Sequence, residues 1–211
     1  MKRKGIAFIF SSPSGGGKTT LCQQVVTLVP DLKYSISYTT RPPRAGEENG
    51  KDYYFVSSES FQDIIKGGNF AEWAEIHGHF YGTPLDSLKK LLSKGIDLVL
   101  DIDVQGAKQL KERLEEGIFI FLLPPSMSVL KERLEKRGTD SEQEIMNRLK
   151  SAEGEIKQLT WYDYIIINDD LNEAVSNLRS IIIAERCKRE RILPQIKESF
   201  RIENSREDSS I

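Results

Sequence analysis

The sequence is poor in the residues that make covalent staples and metal cages. It has two cysteines, Cys22 and Cys187, and two histidines, His77 and His79, in 211 residues. That excludes a disulfide framework. Two histidines flanking Gly78, with no cysteine nearby, read as a surface turn rather than a metal centre. Charge of one sign is also missing. There are 30 basic residues against 32 acidic ones, a net −2, so neither nucleic acid nor an anionic membrane surface is expected as a general partner. No apolar run reaches transmembrane length. After the basic start, Met1-Lys2-Arg3-Lys4-Gly5, only Ile6 to Phe10 is apolar, which is too short for a secretory signal. A reducing cytoplasm is the expected compartment.

What is present is an alternation. Short apolar strand patterns, Ile6–Phe10, Leu98–Ile102, Ile118–Leu123 and Tyr164–Ile167, are separated by helical ones. The helical patterns are Leu21–Leu28, Val104–Leu114, Ser128–Lys136, Glu142–Leu159 and Leu171–Arg189. Continuous apolar strands suit a parallel sheet covered on both faces, so the chain reads as a single α/β domain. The stretch 34–93 breaks the rhythm. It holds aromatic strand patterns at Tyr53–Val56 and Phe70–Ile76 around a helix at Phe61–Ile65. Thr83 and Pro84 read as N-cap and first residue of a helix through Leu92. This predicts a small inserted subdomain with antiparallel pairing, closing over a core of 5–33 and 94–190. Within that core, about 133–150 reads as an arginine-bearing helical lid, turning at Gly138-Thr139-Asp140-Ser141. The segment 191–211 reads as a charged tail with a frayed end.

One stretch carries chemistry by itself. The strand pattern Phe8-Ile9-Phe10 stops at Ser11-Ser12-Pro13-Ser14-Gly15-Gly16-Gly17-Lys18-Thr19-Thr20, and a helical pattern follows. Glycine lets successive N–H groups turn inward, and the helix start offers free N–H groups to an anion. Lys18 can reach the β- and γ-phosphates of a nucleotide, and Thr19 can ligate Mg²⁺. The G-x-x-x-x-G-K spacing calls for glycine at position 12, where this chain has Ser12. Asp101, closing an apolar strand, is the expected carrier of Mg²⁺ beside such a loop; its alternative is to cap the next helix. Asp103 shares its side if the strand continues, and is otherwise solvated.

Further groups suggest a second anion. Arg41 and Arg44 flank two prolines, and Tyr53 and Tyr81 lie in the same segment, a set suited to phosphate oxygens. Arg133 and Arg137 share a helix face, with Arg148 on the next helix. They form either a clamp for a transferring phosphoryl group or three solvated arginines. Glu72, in Asn69-Phe70-Ala71-Glu72-Trp73-Ala74-Glu75, is either a solvated strand residue or an acceptor for purine N–H donors. Guanine presents such donors at N1 and its amine, and Ser37 and Thr83 could serve its O6.

Taken in order, these motifs resemble the guanylate kinase family of nucleoside monophosphate kinases, from Gly5 to about Arg186. The resemblance rests on the phosphate loop, Ser37-Tyr38-Thr39-Thr40-Arg41-Pro42-Pro43-Arg44-Ala45-Gly46-Glu47, Asn49-Gly50-Lys51-Asp52-Tyr53-Tyr54-Phe55, Phe70 to Ala74 and Tyr81-Gly82-Thr83. It continues through Leu100-Asp101-Ile102-Asp103-Val104-Gln105-Gly106, Pro124-Pro125-Ser126, Arg133 to Thr139 and Ile167-Asn168-Asp169-Asp170. The resemblance implies a P-loop kinase fold with a parallel central sheet. It implies catalytic roles for Lys18, Arg133, Arg137 and Arg148. ATP would be held by Ser12, Pro13, Ser14, Gly15, Gly16, Gly17, Lys18, Thr19 and Thr20, with Asn168 near the adenine. Arg41, Arg44, Tyr53 and Tyr81 would hold the GMP phosphate; Ser37, Glu72, Thr83 and Asp103 would recognise guanine. Thr19 and Asp101 would serve Mg²⁺. The implied reaction is direct in-line transfer from ATP to GMP with domain closure. Two rivals stand beside it: a non-catalytic phosphopeptide-binding domain of the same fold, and a kinase for another nucleoside monophosphate. Similar proteins include monomers and larger assemblies, which leaves a homo-oligomer open.

Overall fold

A computed structural model describes residues 3–76, 78–114, 116–138, 140–197 and 199–201. His77, Thr139 and the end of the tail therefore lie outside the described residues. In chain order the elements are β1 (Ala7–Ser11), α1 (Lys18–Leu28), β2 (Leu32–Tyr34), β3 (Tyr38–Thr39), β4 (Tyr54–Phe55), α2 (Ser58–Lys66), β5 (Phe70–Ile76), β6 (His79–Pro84) and α3 (Leu85–Ser93). Then come β7 (Asp97–Asp101), α4 (Val104–Arg113), β8 (Ile118–Leu123), α5 (Met127–Lys136) and α6 (Glu142–Ile156). A 3₁₀ turn (Leu159–Trp161), β9 (Tyr164–Ile167), α7 (Leu171–Arg186) and α8 (Arg189–Ile196) follow.

Five strands form one parallel sheet in the order β2-β7-β1-β8-β9. Its middle strand is buried on both faces, and alternation sends its side chains to two cores. Phe8 and Phe10 join Leu21, Val25, Leu178 and Ile182 beneath α1 and α7. Ala7 and Ile9 join Leu88, Leu98, Leu100 and Leu110 beneath α3 and α4. Each fully buried large side chain contributes about 1.5–3 kcal/mol, and only a strand apolar at every position can serve both cores. From β1 the chain passes through α1 to β2 on one side of the sheet, and from β7 it crosses through α4 over β1 to β8 on the other. The loop after β1 therefore opens at the switch point of the sheet, where α/β folds bind ligands.

The stretch that breaks the rhythm forms a separate four-stranded sheet, β4-β3-β6-β5. Its pairing is not wholly antiparallel: β3 and β6, and β5 and β6, run antiparallel, but β3 and β4 run parallel. The long connection from Thr40 to Tyr53 lets the chain return in the same direction.

Other boundaries also moved. Gly17, at φ 90°, turns the chain into α1 so that the helix begins at Lys18 rather than Leu21. Thr83 does not cap α3. It ends in β6, and its hydroxyl donates to Glu72 instead. The strand ends at Asp101, and Asp103, not Asp101, caps α4 by accepting from Gly106 N at 2.8 Å. Part of the expected tail is helical. Lys188 pairs with buried Glu185 and Arg191 with Glu116, which docks α8 despite Pro194 inside it. Among the described residues no helix is long and apolar enough to cross a membrane.

Candidate active site

Three features aim the loop after β1 at an anion. Gly15 and Gly17 lie at φ 98° and 90°, a region L side chains avoid. A β-carbon at Gly15 would also crowd Leu130 and Leu134 of α5, each 3.0 Å away. The helices α2, α4, α5, α6 and α7 are each capped by a Ser or Asp side chain, but α1 has no side-chain cap and no acidic residue in its first turn. Its first N–H groups are therefore free to meet a phosphate. Ser12 is not in the left-handed region; its hydroxyl donates to Pro13 O at 3.1 Å, so the serine fits without strain.

Sheet order brings β7 beside β1 and so sets Asp101 next to the loop. Lys18 Nζ lies 2.8 Å from Asp101 Oδ1 and also donates to Ile102 O. Thr19 and Tyr34 hydroxyls donate to Asp101 Oδ2 at 2.8 and 2.7 Å. Burial alone would raise the Asp101 carboxyl. The Lys18 ammonium and the three hydrogen bonds outweigh it and hold the group below the usual carboxylate range. Tyr34 is a member of this network that the sequence did not single out, since nothing in the residue order says that β2 lies beside β7.

On the far side of the loop, Arg148 donates to Ser14 Oγ at 2.7 Å and pairs with Asp140 at 3.2 Å. Arg137 and Arg148 line a cleft of about 500 Å³ with the loop. Arg133 turns away from that cleft far enough to donate to Asn168 O at 2.8 Å. Asn168 is buried behind the loop and donates from Nδ2 to Gly16 O at 2.8 Å. We expect Asn168→Ala to raise the KM for the triphosphate about fivefold, the worth of about 1 kcal/mol for one buried hydrogen bond. Titration of bound nucleotide checks it, and an unaltered affinity would remove Asn168 from the loop's support.

A smaller pocket of about 210 Å³ opens beside Lys18, lined among others by Ser37, Tyr53, Glu72, Tyr81 and Asp103. Glu72 is 3% exposed. Burial, and then the charge on Asp103, push its carboxyl up to about 7, against the pull of the Thr83 hydrogen bonds and Lys18. Thr83 spends its proton on Glu72, and Ser37 Oγ lies 3.5 Å from Thr83 Oγ1. With the Thr83 proton on Glu72, Ser37 is the donor in that contact, so the pocket offers two carboxyl groups and a serine hydroxyl held by one long bond.

An adjoining cleft of about 480 Å³ gathers Arg41, Arg44, Tyr53 and Tyr81. Arg41 lies over the Tyr53 ring, 5.5 Å from its centroid, and pairs with Glu47 at 2.8 Å. Glu47 also accepts from Arg44 N, which orders the Arg41–Arg44 turn before any ligand arrives. Glu47, like Tyr34, was not among the expected site residues.

The guanylate kinase family model matches residues 4–185. The chain belongs to the guanylate kinase family. It is 52% identical over 200 residues to the guanylate kinase of Geobacter metallireducens, covering 95% of this chain and 98% of that one. It is 51% identical, with the same coverage, to the guanylate kinase of Geobacter sulfurreducens. Among solved structures, a guanylate kinase from Anaplasma phagocytophilum matches with a TM-score of 0.77 at 35% identity, covering 96% of this chain and 99% of that one. The parallel sheet flanked by helices, with a phosphate loop after its middle strand, is accordingly the P-loop nucleoside monophosphate kinase fold. As in other guanylate kinases, two nucleotides have to meet, and the clefts described above are two in kind. One is walled by a loop that suits a triphosphate. The other combines a cleft lined by two arginines and two tyrosines with a smaller pocket lined by Glu72 and Asp103.

Proposed function

We propose that the chain transfers the γ-phosphoryl group of ATP to GMP, with the triphosphate seated on the Ser12–Thr20 loop and GMP in the pocket between Lys18 and Glu72. The observation that carries this division is that Lys18 lines both openings. A cation there lies on the wall shared by the donor cleft and the acceptor pocket, whose Tyr53 and Tyr81 also line the Arg41–Arg44 cleft. Arg41 and Arg44 with the Tyr53 and Tyr81 hydroxyls would hold the acceptor phosphate. Glu72 would accept from both the guanine N1–H and its amine, with Asp103 as a further acceptor at that edge. Ser37 is better placed than Thr83 to donate to O6, because its own bond to Thr83 Oγ1 is long, at 3.5 Å, whereas the Thr83 proton is held by the buried Glu72 carboxyl. The segment 34–93 would act as the acceptor-binding part, and the α5–α6 pair as the part that brings Arg137 and Arg148 to the donor.

The nucleophile is an anionic phosphate oxygen, so no general base and no covalent intermediate are needed. What remains is positioning and charge compensation in a site from which water is excluded. Lys18, Arg137 and Arg148 supply positive charge at the donor phosphates. Arg133 supports them through Asn168 O and the loop. Mg²⁺ would arrive with ATP. The residues fit it: Thr19 Oγ1 and the Asp101 carboxylate are hard oxygen donors 2.8 Å apart at the loop. When bound, the ion would neutralise charge on the donor phosphates. No cluster of three or more His, Cys, Asp or Glu side chains is gathered among the described residues.

A steady-state acceptor panel tests the reading: GMP, dGMP, IMP, AMP and UMP with ATP and Mg²⁺. GMP turnover far above AMP and UMP is the expected result. Comparable use of AMP would remove the guanine assignment of Glu72 and Asp103 and favour a kinase for another monophosphate. The phosphopeptide-binding alternative has little support where Lys18, Thr19 and Asp101 form one connected network.

A further inference from the structure

Strand β5 carries Glu72 and lies at the edge of its sheet. One side pairs with β6; the other has no strand beside it among the described residues. Helix α4 fills that side with side chains. Trp73 N–H donates to Gln109 Oε1 at 3.2 Å, and Gln109 Nε2 donates back to Trp73 O at 2.7 Å. One carboxamide thus replaces a strand neighbour at a single residue. Two residues earlier the ladder slips, between Phe70 and Glu72. Arg113 Nη1 donates to both carbonyls at that bulge, Phe70 O and Ala71 O, each at 3.2 Å. Glu72 is bracketed by these two holds.

The same helix receives the Glu72 side chain. A β-carbon built on Gly106 would overlap Glu72 Oε2 and approach Asp103 Oδ1 to 3.1 Å. Glycine in the first turn of α4 is therefore the recess in which the Glu72 carboxylate lies beside the Asp103 cap. A carboxylate at a helix start is also favourably placed for the helix dipole.

We propose that Gln109 is a positioning residue for acceptor recognition: by exchanging two hydrogen bonds with the Trp73 backbone, it holds Glu72 in the Gly106 recess at the distance from Asp103 that a guanine edge requires. This rests on Glu72 and Asp103 reading the base. Bulges re-aim the side chains beside them, and without a hold from α4 the bulged edge strand would leave the Glu72–Asp103 spacing to vary.

The test is steady-state kinetics with GMP and IMP as alternative acceptors at saturating ATP. IMP keeps the N1–H of guanine and lacks its amine, so the GMP-to-IMP ratio of kcat/KM reports how well two acceptors meet two donors. Gln109→Met keeps side-chain length and loses both hydrogen bonds. It should lower that ratio about tenfold, the worth of roughly one misplaced hydrogen bond to a charged group, with the KM for ATP unchanged. Combined with Glu72→Gln it should lower the ratio no further than Glu72→Gln alone, the mark of residues acting as a unit. Gly106→Ala, which favours the helix but fills the recess, should give the same kinetic pattern. If Gln109→Met does not fold, Gln109→Glu keeps an acceptor for the Trp73 N–H and should shift the ratio in the same direction. Equal loss with GMP and IMP, or an unchanged ratio while Glu72→Gln lowers it, overturns the proposal and leaves the base-reading assignment intact. An unchanged ratio in Glu72→Gln itself overturns that assignment and the proposal with it.

Discussion

Lys18→Ala should cost about 2–4 kcal/mol of transition-state stabilisation, roughly thirty- to a thousandfold in kcat. The reason lies in where the ammonium is held. It is tethered between Asp101 Oδ1 and Ile102 O, both at the end of β7, and lines the donor cleft and the acceptor pocket together. A cation fixed in that place needs no reorganisation as charge develops on the transferring group, and such preorganised charge is the largest catalytic term open to a phosphoryl transferase. KM for ATP should change less, because the α1 N–H groups and the loop backbone remain. Lys18→Arg should not restore activity, since a planar fork does not fit a place occupied by a compact point charge. Loss of the ammonium also leaves Asp101 buried with only the Thr19 and Tyr34 hydroxyls as partners. Its carboxyl should then rise from its depressed range. Steady-state rates at saturating ATP and GMP measure the effect. A kcat equal to the parent's would end the role assigned to Lys18.

That lysine was legible in the sequence, and the reason is that its motif is local. A strand, three glycines, a lysine and a helix within some twenty residues leave few ways to fold. Asp101 was legible too, as an acid at the end of an apolar strand. Its partner Tyr34 was not, because the order of strands in a parallel sheet depends on crossovers and not on spacing. The same limit hid Gln109. On the chain it is one more polar residue on an amphipathic helix, and only the placement of α4 along the edge of β5 gives it a task. Thr83 was misread for a related reason. A threonine before a proline has the local signature of a helix cap, but a buried carboxylate across the strand pair claims its hydroxyl. Pairing across a sheet outweighs a preference worth about 1 kcal/mol. Asn168 shows the same limit, since nothing in the residue order says that its amide reaches the loop backbone from behind.

Glu72→Gln should act in opposite directions on function and on stability. For function, an ionised acceptor facing guanine N–H donors is replaced by a neutral amide. A loss of about 1.5–3 kcal/mol, roughly ten- to a hundredfold in kcat/KM for GMP, follows, with the KM for ATP little changed. For stability, the sign follows from the direction of the shift. The folded-state carboxyl stands at about 7, above its ordinary 4.5, chiefly through burial. The stability contributed by this group is therefore fully present below pH 4.5 and is lost as pH rises through about 7. At pH 8 the free protein carries a buried carboxylate at a cost of about 3 kcal/mol. Gln removes that cost. The variant should melt above the parent at pH 8 and level with it near pH 4.5. The same ionisation should govern binding: the parent's KM for GMP should rise as pH falls below about 7. The substrate phosphate also titrates near there, at about 6 if it resembles other phosphate monoesters, and the variant, which retains only that contribution, separates the two. A melting difference that is the same at both pH values would refute the raised carboxyl. An unchanged kcat/KM for GMP would remove Glu72 from the base pocket. Should both effects appear together, the free enzyme holds its base-reading carboxylate at the expense of its own stability, and guanine, by bringing N–H donors to the ionised form, returns part of that cost as affinity.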